Sequence, residues 1–351
     1  MVSEMNTAFN FIAEQAINYE KIRAESGEIA WKSGKNFEYR VRKITIPFFI
    51  DKQISGISSQ DLLKLNQLLI SRGLSSISIA QYFQDVKKIF NHAEIIGATE
   101  RIPKFPKIKK RSVPRGGFSP AEYRRLVVAS RELSRQLDHE KQRNHRYTAG
   151  GVYARTNSVP REMEFVIRLM INGFMRPTDI FQIKHKHVKV IKGEFCYLRL
   201  ELPETKRHIQ QIVTLRPAVR VYEALKQNSF VKGYSDDEDY LFLPEITNRA
   251  TAGRLISMHF NKILNHTDLK IGSKGQSKSM YSLRHTAIMF RLLFGQGIDL
   301  LTLARNSRTS VQMIEQFYAS ELKSEMNVGL LQSRRGGVSI SRRYLSVVSK
   351  A

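Results

Sequence analysis

The chain has 351 residues, enough for two domains with a core each. Its 57 lysines and arginines against 32 acidic residues leave a formal charge of +25. That exceeds what solubility needs and implies an anionic partner, nucleic acid ahead of acidic proteins or a membrane surface. Cys196 is the single cysteine. An internal disulfide is therefore excluded, and a reducing compartment is expected. No signal peptide is recognisable in residues 1–23, and no run of about 18 apolar residues offers a membrane span. A soluble cytoplasmic protein is the expectation.

Residues 1–30 read as an amphipathic arm, with Phe9, Ile12, Ala16, Tyr19 and Ile22 at helical spacing. Residues 31–100 read as a helical domain. Phe37, Val41, Ile44 and Phe48 form one stripe, which Pro47 should end. Ser59 looks like a helix start, Gly73 suits its C-cap, and Ser78 opens a further helix through Val86 and Phe90. Residues 101–116 then hold seven basic residues, three prolines and no acid. They read as an interdomain linker, either solvated or lying across phosphates through Lys104, Lys107, Lys109, Lys110, Arg111 and Arg115.

Ser119 as N-cap and Pro120 at the first helical position restart regular structure. A charged stretch from Arg131 to Arg161 reads as a helix extension and a loop. Phe165 to Met175 is a dense apolar helix. Residues 188–215 alternate as a short antiparallel sheet, with Leu198, Leu200 and Leu202 against Arg199 and Glu201, and Cys196 as a small buried thiol. From Gly253 the pattern is helical to Tyr318. The fold expected is mainly α with a small β-sheet.

Three side chains in the second half form a constellation. Arg176 lies in Gly173-Phe174-Met175-Arg176-Pro177-Thr178-Asp179, and Arg284 in Tyr281-Ser282-Leu283-Arg284-His285-Thr286. Tyr318 closes Thr309-Ser310-Val311-Gln312-Met313-Ile314-Glu315-Gln316-Phe317-Tyr318. Two guanidinium forks can grip non-bridging phosphate oxygens, and a phenol can attack phosphorus. Asp179, one helical turn after Arg176, is suited to orient that guanidinium. A core aromatic is the plain alternative for Tyr318, and Phe317 can fill the same position. In this order and in these contexts the residues resemble the tyrosine recombinase (phage integrase) family. The likeness spans roughly residues 31–325 and includes Ile46-Pro47-Phe48-Phe49, Leu69-Ile70-Ser71-Arg72-Gly73-Leu74 and Val86-Lys87-Lys88-Ile89-Phe90.

The resemblance implies a two-domain DNA clamp: a helical core-binding domain over 31–100, the linker 101–116, and an α+β catalytic domain over 117–325. A tail over 326–351 would dock on a neighbouring protomer or stay a basic extension. It implies Tyr318 as nucleophile, Arg176 and Arg284 on the phosphate, and Lys206, in the β-hairpin, as general acid to the departing 5′ hydroxyl. Two positions depart from the pattern. Tyr281 stands where most members have histidine, and a phenol of pKa about 10 is a poor base at neutral pH. Thr309 stands where histidine or tryptophan is usual, either touching phosphate or capping the tyrosine helix. His285 reads as a buried hydrogen-bonding support. The implied protein is a site-specific recombinase of a mobile element, metal-free and without a cofactor. It would work as a tetramer on two DNA duplexes near the nucleoid, with an accessory DNA-bending or directionality factor as a further partner. The alternatives are a catalytically idle DNA-binding protein on the same scaffold, a type IB topoisomerase, and an RNA-binding structural protein.

Overall fold

The computed structural model describes residues 6–110, 116–143, 159–203, 210–273, 275–295 and 298–318, without the side chains of 137–143 and 318. The chain forms two compact units, Met1–Val113 and Pro114–Ala351. It is mainly helical with one small sheet, as expected. No helix among the described residues is long and apolar enough to cross a membrane.

Unit 1 contains α1 (Phe9–Glu25), α2 (Trp31–Arg40), a π-helical turn (Val41–Thr45), α3 (Ile46–Phe48), α4 (Ser59–Ser71) and α5 (Ser76–Ile95). The first helix is not a separate arm: Phe9, Ile12, Ala13, Ala16 and Ile17 lie in one core with Phe37, Leu65, Val86 and Phe90. Its expected stripe was drawn too wide. At roughly 100° per residue, Ile22 lies about 140° around the helix from Phe9, and Tyr19 and Ile22 are exposed. Pro47 does not end the next helix. The π turn widens the backbone just before it, where proline removes a donor and crowds the preceding turn. One extra residue in the turn shifts the stripe's phase, so Phe49, not Phe48, enters the core. Helix α4 starts at Ser59 as expected, and Ser58 caps it; the Ser58 Oγ accepts from Asp61 N, and Asp61 accepts from Ser58 N at 2.9 Å. Ser75 caps α5, three residues ahead of Ser78.

Residues 101–110 belong to unit 1 as a docked strap. Ile102, Phe105 and Ile108 pack on its core, and Phe105 meets Phe83 and Phe90 edge-on at 6.2 and 6.1 Å. Lys104, Lys107, Lys109 and Lys110 are exposed. The half-buried Ile102, Phe105 and Ile108 recur every third position, the period of a three-fold extended chain. The expected linker is thus anchored over its first ten residues; Arg111 and Arg115 lie outside the described residues.

Unit 2 is built around α7 (Glu162–Gly173), which is buried on nearly all sides. A helix apolar all round must be enclosed, and α6 (Pro120–Arg143), α9 (Pro217–Val231) and α11 (Met280–Phe294) enclose it. Ser119 and Glu122 cap α6 reciprocally. After α7 come α8 (Pro177–Gln182) and the strands β1 (Val188–Ile191), β2 (Tyr197–Leu200) and β3 (Ile212–Val213), in the order β1-β2-β3 and antiparallel throughout. Leu198 and Leu200 face the core as the alternation predicts. Cys196 is half-buried rather than buried, and its neighbour Phe195 is exposed. The remaining α-helices among the described residues are α10 (Arg249–His266), α12 (Leu300–Asn306) and α13 (Val311–Tyr318).

Candidate active site

Two loops build the site, and each turns on a residue with left-handed backbone. Phe174 ends α7 at φ 54°, and Arg308 follows α12 at φ 53°. Neither is glycine, and side chains in this region cost roughly 1–2 kcal/mol, so each of the two loops holds some strain. At the second loop, Arg308 N donates to Arg305 O and Thr309 N to Ala304 O, both at 2.9 Å. That is the Schellman ending of a helix, with Arg308 at the position glycine normally takes.

Each predicted arginine is held by the strained backbone of these loops. Arg284, on α11 and 2% exposed, donates from Nη1 to Phe174 O and from Nη2 to Ser307 O. Arg176, half-buried at the start of α8, donates from Nη2 to Arg308 O. The two arginines, distant in sequence, thus grip consecutive carbonyls of the loop that leads into α13. Arg176 Nη1 is buried and has no hydrogen-bond partner among the described residues.

Asp179 does not orient the Arg176 guanidinium, as its spacing suggested. Its Oδ2 accepts from the Arg176 backbone N at 2.7 Å, as an N-terminal cap, and its Oδ1 faces Arg308 Nη1 at 3.5 Å. Both side chains of that pair are 1% exposed. Arg308, a third arginine, was missed because nothing in the local sequence marks it; the left-handed turn that buries it is set by α12 ending beside α8.

His285 is buried next to Arg284; its ring meets Tyr281 at 5.1 Å and Phe317 at 6.4 Å. Phe317 therefore takes the packing position on α13, together with Val311 and Ile314. The side chain of Tyr318, which ends α13, lies outside the described residues. Thr309 is half-buried and is not the helix cap. Ser310 Oγ accepts from Met313 N at 3.2 Å and does that work instead. Lys206 falls between β2 and β3, outside the described residues.

Three further residues brace the site. Arg249 donates to the carbonyls of Phe181, Phe242, Leu243 and Ile246, tying the end of α8 to α10. Gly253 lets α10 approach α8 closely: a Cβ there would stand 2.7 Å from the Phe181 ring. Asn306, the last residue of α12, reaches the open edge of β3.

The two units, with a small antiparallel sheet on a helical second unit and paired arginines at a loop ahead of the last described helix, have the integrase fold. The Tn1549 transposon integrase, solved with a circular intermediate DNA, is similar at a TM-score of 0.64 and 12% identity, over 93% of this chain and 99% of that one. A lambda integrase dimer bound to a core site gives 0.59 and 15%, over 86% and 93%. A lambda integrase tetramer on a Holliday junction gives 0.58 and 16%, over 85% and 77%. No family model matches the sequence, and no curated protein matches it.

Proposed function

We propose that the chain is a site-specific DNA recombinase of the tyrosine type. The observation that carries this reading is the convergence of Arg176 and Arg284 on the Ser307 and Arg308 carbonyls, directly ahead of the helix that ends in Tyr318. Tyr318 gives up its phenol proton to water and attacks the scissile phosphate. A phosphotyrosyl bond to the 3′ end forms, the bond to the 5′ oxygen breaks, and that oxygen takes a proton from Lys206. Arg176 and Arg284 stabilise the added negative charge of the pentavalent transition state. The phosphodiester energy stays in the covalent link, and a 5′ hydroxyl from a second strand reverses the step. Tyr281 stands at the phosphate in place of the family's usual histidine, and Thr309 in place of its histidine or tryptophan, so the general base is weak and the reaction slow near neutral pH.

Unit 1 grips duplex DNA with the lysines of the strap, Lys104, Lys107, Lys109 and Lys110, joined by Arg111 and Arg115. The solved relatives include a dimer and a tetramer on DNA. By that likeness four copies bring two duplexes together in the cytoplasm, to insert or excise a mobile element, with an accessory DNA-bending or directionality factor. Tail residues 326–351 dock on a neighbouring copy.

The test is a suicide substrate, a nicked duplex whose short 5′ fragment diffuses away after cleavage. A covalent adduct mapping to Tyr318, absent in Tyr318→Phe, supports the proposal. Tight duplex binding with no adduct would instead identify an idle DNA-binding protein, and relaxation of supercoiled plasmid without strand exchange a topoisomerase.

A further inference from the structure

We infer that Arg308 is a positioning residue for Arg176, and that it acts by occupying Asp179. This rests on the strand-transfer reading above. The position itself poses the problem. Arg308 sits where a helix ending favours glycine, at φ 53°, with its side chain 1% exposed. A long cation in a strained and buried place is costly unless it is paired.

Its surroundings supply the pairing. Asp179 is 2% exposed, lies one helical turn from Arg176, and already binds the Arg176 backbone N. A carboxylate so placed is the strongest acceptor within reach of the Arg176 guanidinium. Bound to it, Arg176 would be turned away from a phosphate and would bring less charge to it. Instead Asp179 Oδ1 faces Arg308 Nη1, and Arg176 Nη2 is drawn to the Arg308 carbonyl. One residue thus supplies a cation to Asp179 and a carbonyl to Arg176. Arg176 Nη1 stays buried with no partner among the described residues, a donor available to a phosphate oxygen. Among the described residues named here, three arginines stand against one carboxylate, a net charge of the sign that a pentavalent phosphorane needs.

The experiment compares the parent with Arg308→Gly, Arg308→Lys and the double variant Arg308→Gly with Asp179→Asn. Cleavage of the suicide substrate, duplex binding and thermal melting are read for all four. Glycine suits the left-handed backbone, so the carbonyl stays in place while the cation is lost. Asparagine keeps an oxygen for the Arg176 backbone N but removes the charge. Arg308→Gly should cleave about 10- to 100-fold more slowly than the parent at unchanged duplex binding, the size of loss expected from a misplaced catalytic group. Arg308→Lys should keep most activity, and the double variant should recover most of what the single one lost. Arg308→Gly cleaving at the parent rate, or a double variant no faster than the single one, would overturn the inference. So would a loss of cleavage that merely follows loss of the melting transition in both. If the parent itself forms no adduct, the strand-transfer reading fails first, and duplex binding with melting still reports whether the pair is structural.

Discussion

Asn306 and Val213 exchange two hydrogen bonds: Val213 N donates to Asn306 Oδ1 at 2.8 Å, and Asn306 Nδ2 donates to the Val213 carbonyl at 3.0 Å. The amide thereby takes the place of a fourth strand along the open edge of β3. It ties the hairpin strand that follows Lys206 to the helix that precedes Arg308. Asn306→Ala should expose the Val213 amide and speed its hydrogen exchange, at a stability cost of about 1–2 kcal/mol for the two bonds. On the strand-transfer reading, cleavage should fall while duplex binding holds. Unchanged exchange at Val213 would show that the clamp carries no load.

Lysine at position 176 or 284 keeps the charge but loses the fork. Cleavage should drop by about 3–4 kcal/mol of transition-state stabilisation in either variant. The two should differ in stability. Arg284 spans Phe174 O and Ser307 O from a buried position, and a lysine leaves one buried carbonyl unmet at about 1–3 kcal/mol. Arg176→Lys should melt close to the parent. Equal cleavage by parent and both variants would remove the arginines from the reaction.

Charge and packing on the strap separate by residue. Changing Lys104, Lys107, Lys109 and Lys110 together to Gln should flatten the log–log salt dependence of DNA binding by up to roughly 3–4 units, leaving stability unchanged. Phe105→Ala should do the reverse, costing about 2–3 kcal/mol because the half-buried ring leaves Phe83 and Phe90 uncovered. An unaltered salt slope in the four-lysine variant would mean that the strap never meets phosphate.

His259 lies wholly buried in α10, and burial, with Lys262 adding to it, pulls its imidazole from 6.5 down to about 4. A base whose folded value is depressed takes up its proton on unfolding. Its contribution is complete above about pH 6.5 and is lost as pH falls toward 4. A displacement of that size corresponds to on the order of 3 kcal/mol. His259→Leu should therefore narrow the gap between melting temperatures at pH 7 and pH 4.5. Burial also lowers His92, His185 and His187, so some slope will remain. An identical gap in parent and variant would place the acid sensitivity elsewhere.

Elements with a strong period were legible in the sequence: α7, the alternation at Leu198 and Leu200, and the Ser119–Pro120 start of α6. Flanking residues also singled out Arg176 and Arg284, which the fold brings to consecutive carbonyls of one loop. What escaped depended on contacts between distant segments. Asp179 is one turn from Arg176 along the chain, yet its carboxylate meets Arg308, which α12 brings in from far downstream. Ser310 rather than Thr309 caps α13 because the left-handed turn at Arg308 delays the helix by one residue. The strap hid for another reason: its apolar residues recur every third position, a period belonging to neither helix nor strand, among charges that drew the eye.

The π turn at Val41–Thr45 bears on how this helix tolerates changes in length. An α-helix that gains or loses one residue rotates everything beyond it by about 100°. Here one surplus residue is absorbed within a single widened turn, while Phe37 upstream and Phe49 downstream both keep their places in the core. Deleting one residue between Arg42 and Thr45 would leave a regular helix with Phe49 eleven positions after Phe37, about 20° from it and still on the core face. The segment is thus a splice point, where the chain can lose one residue and keep the same phenylalanine buried.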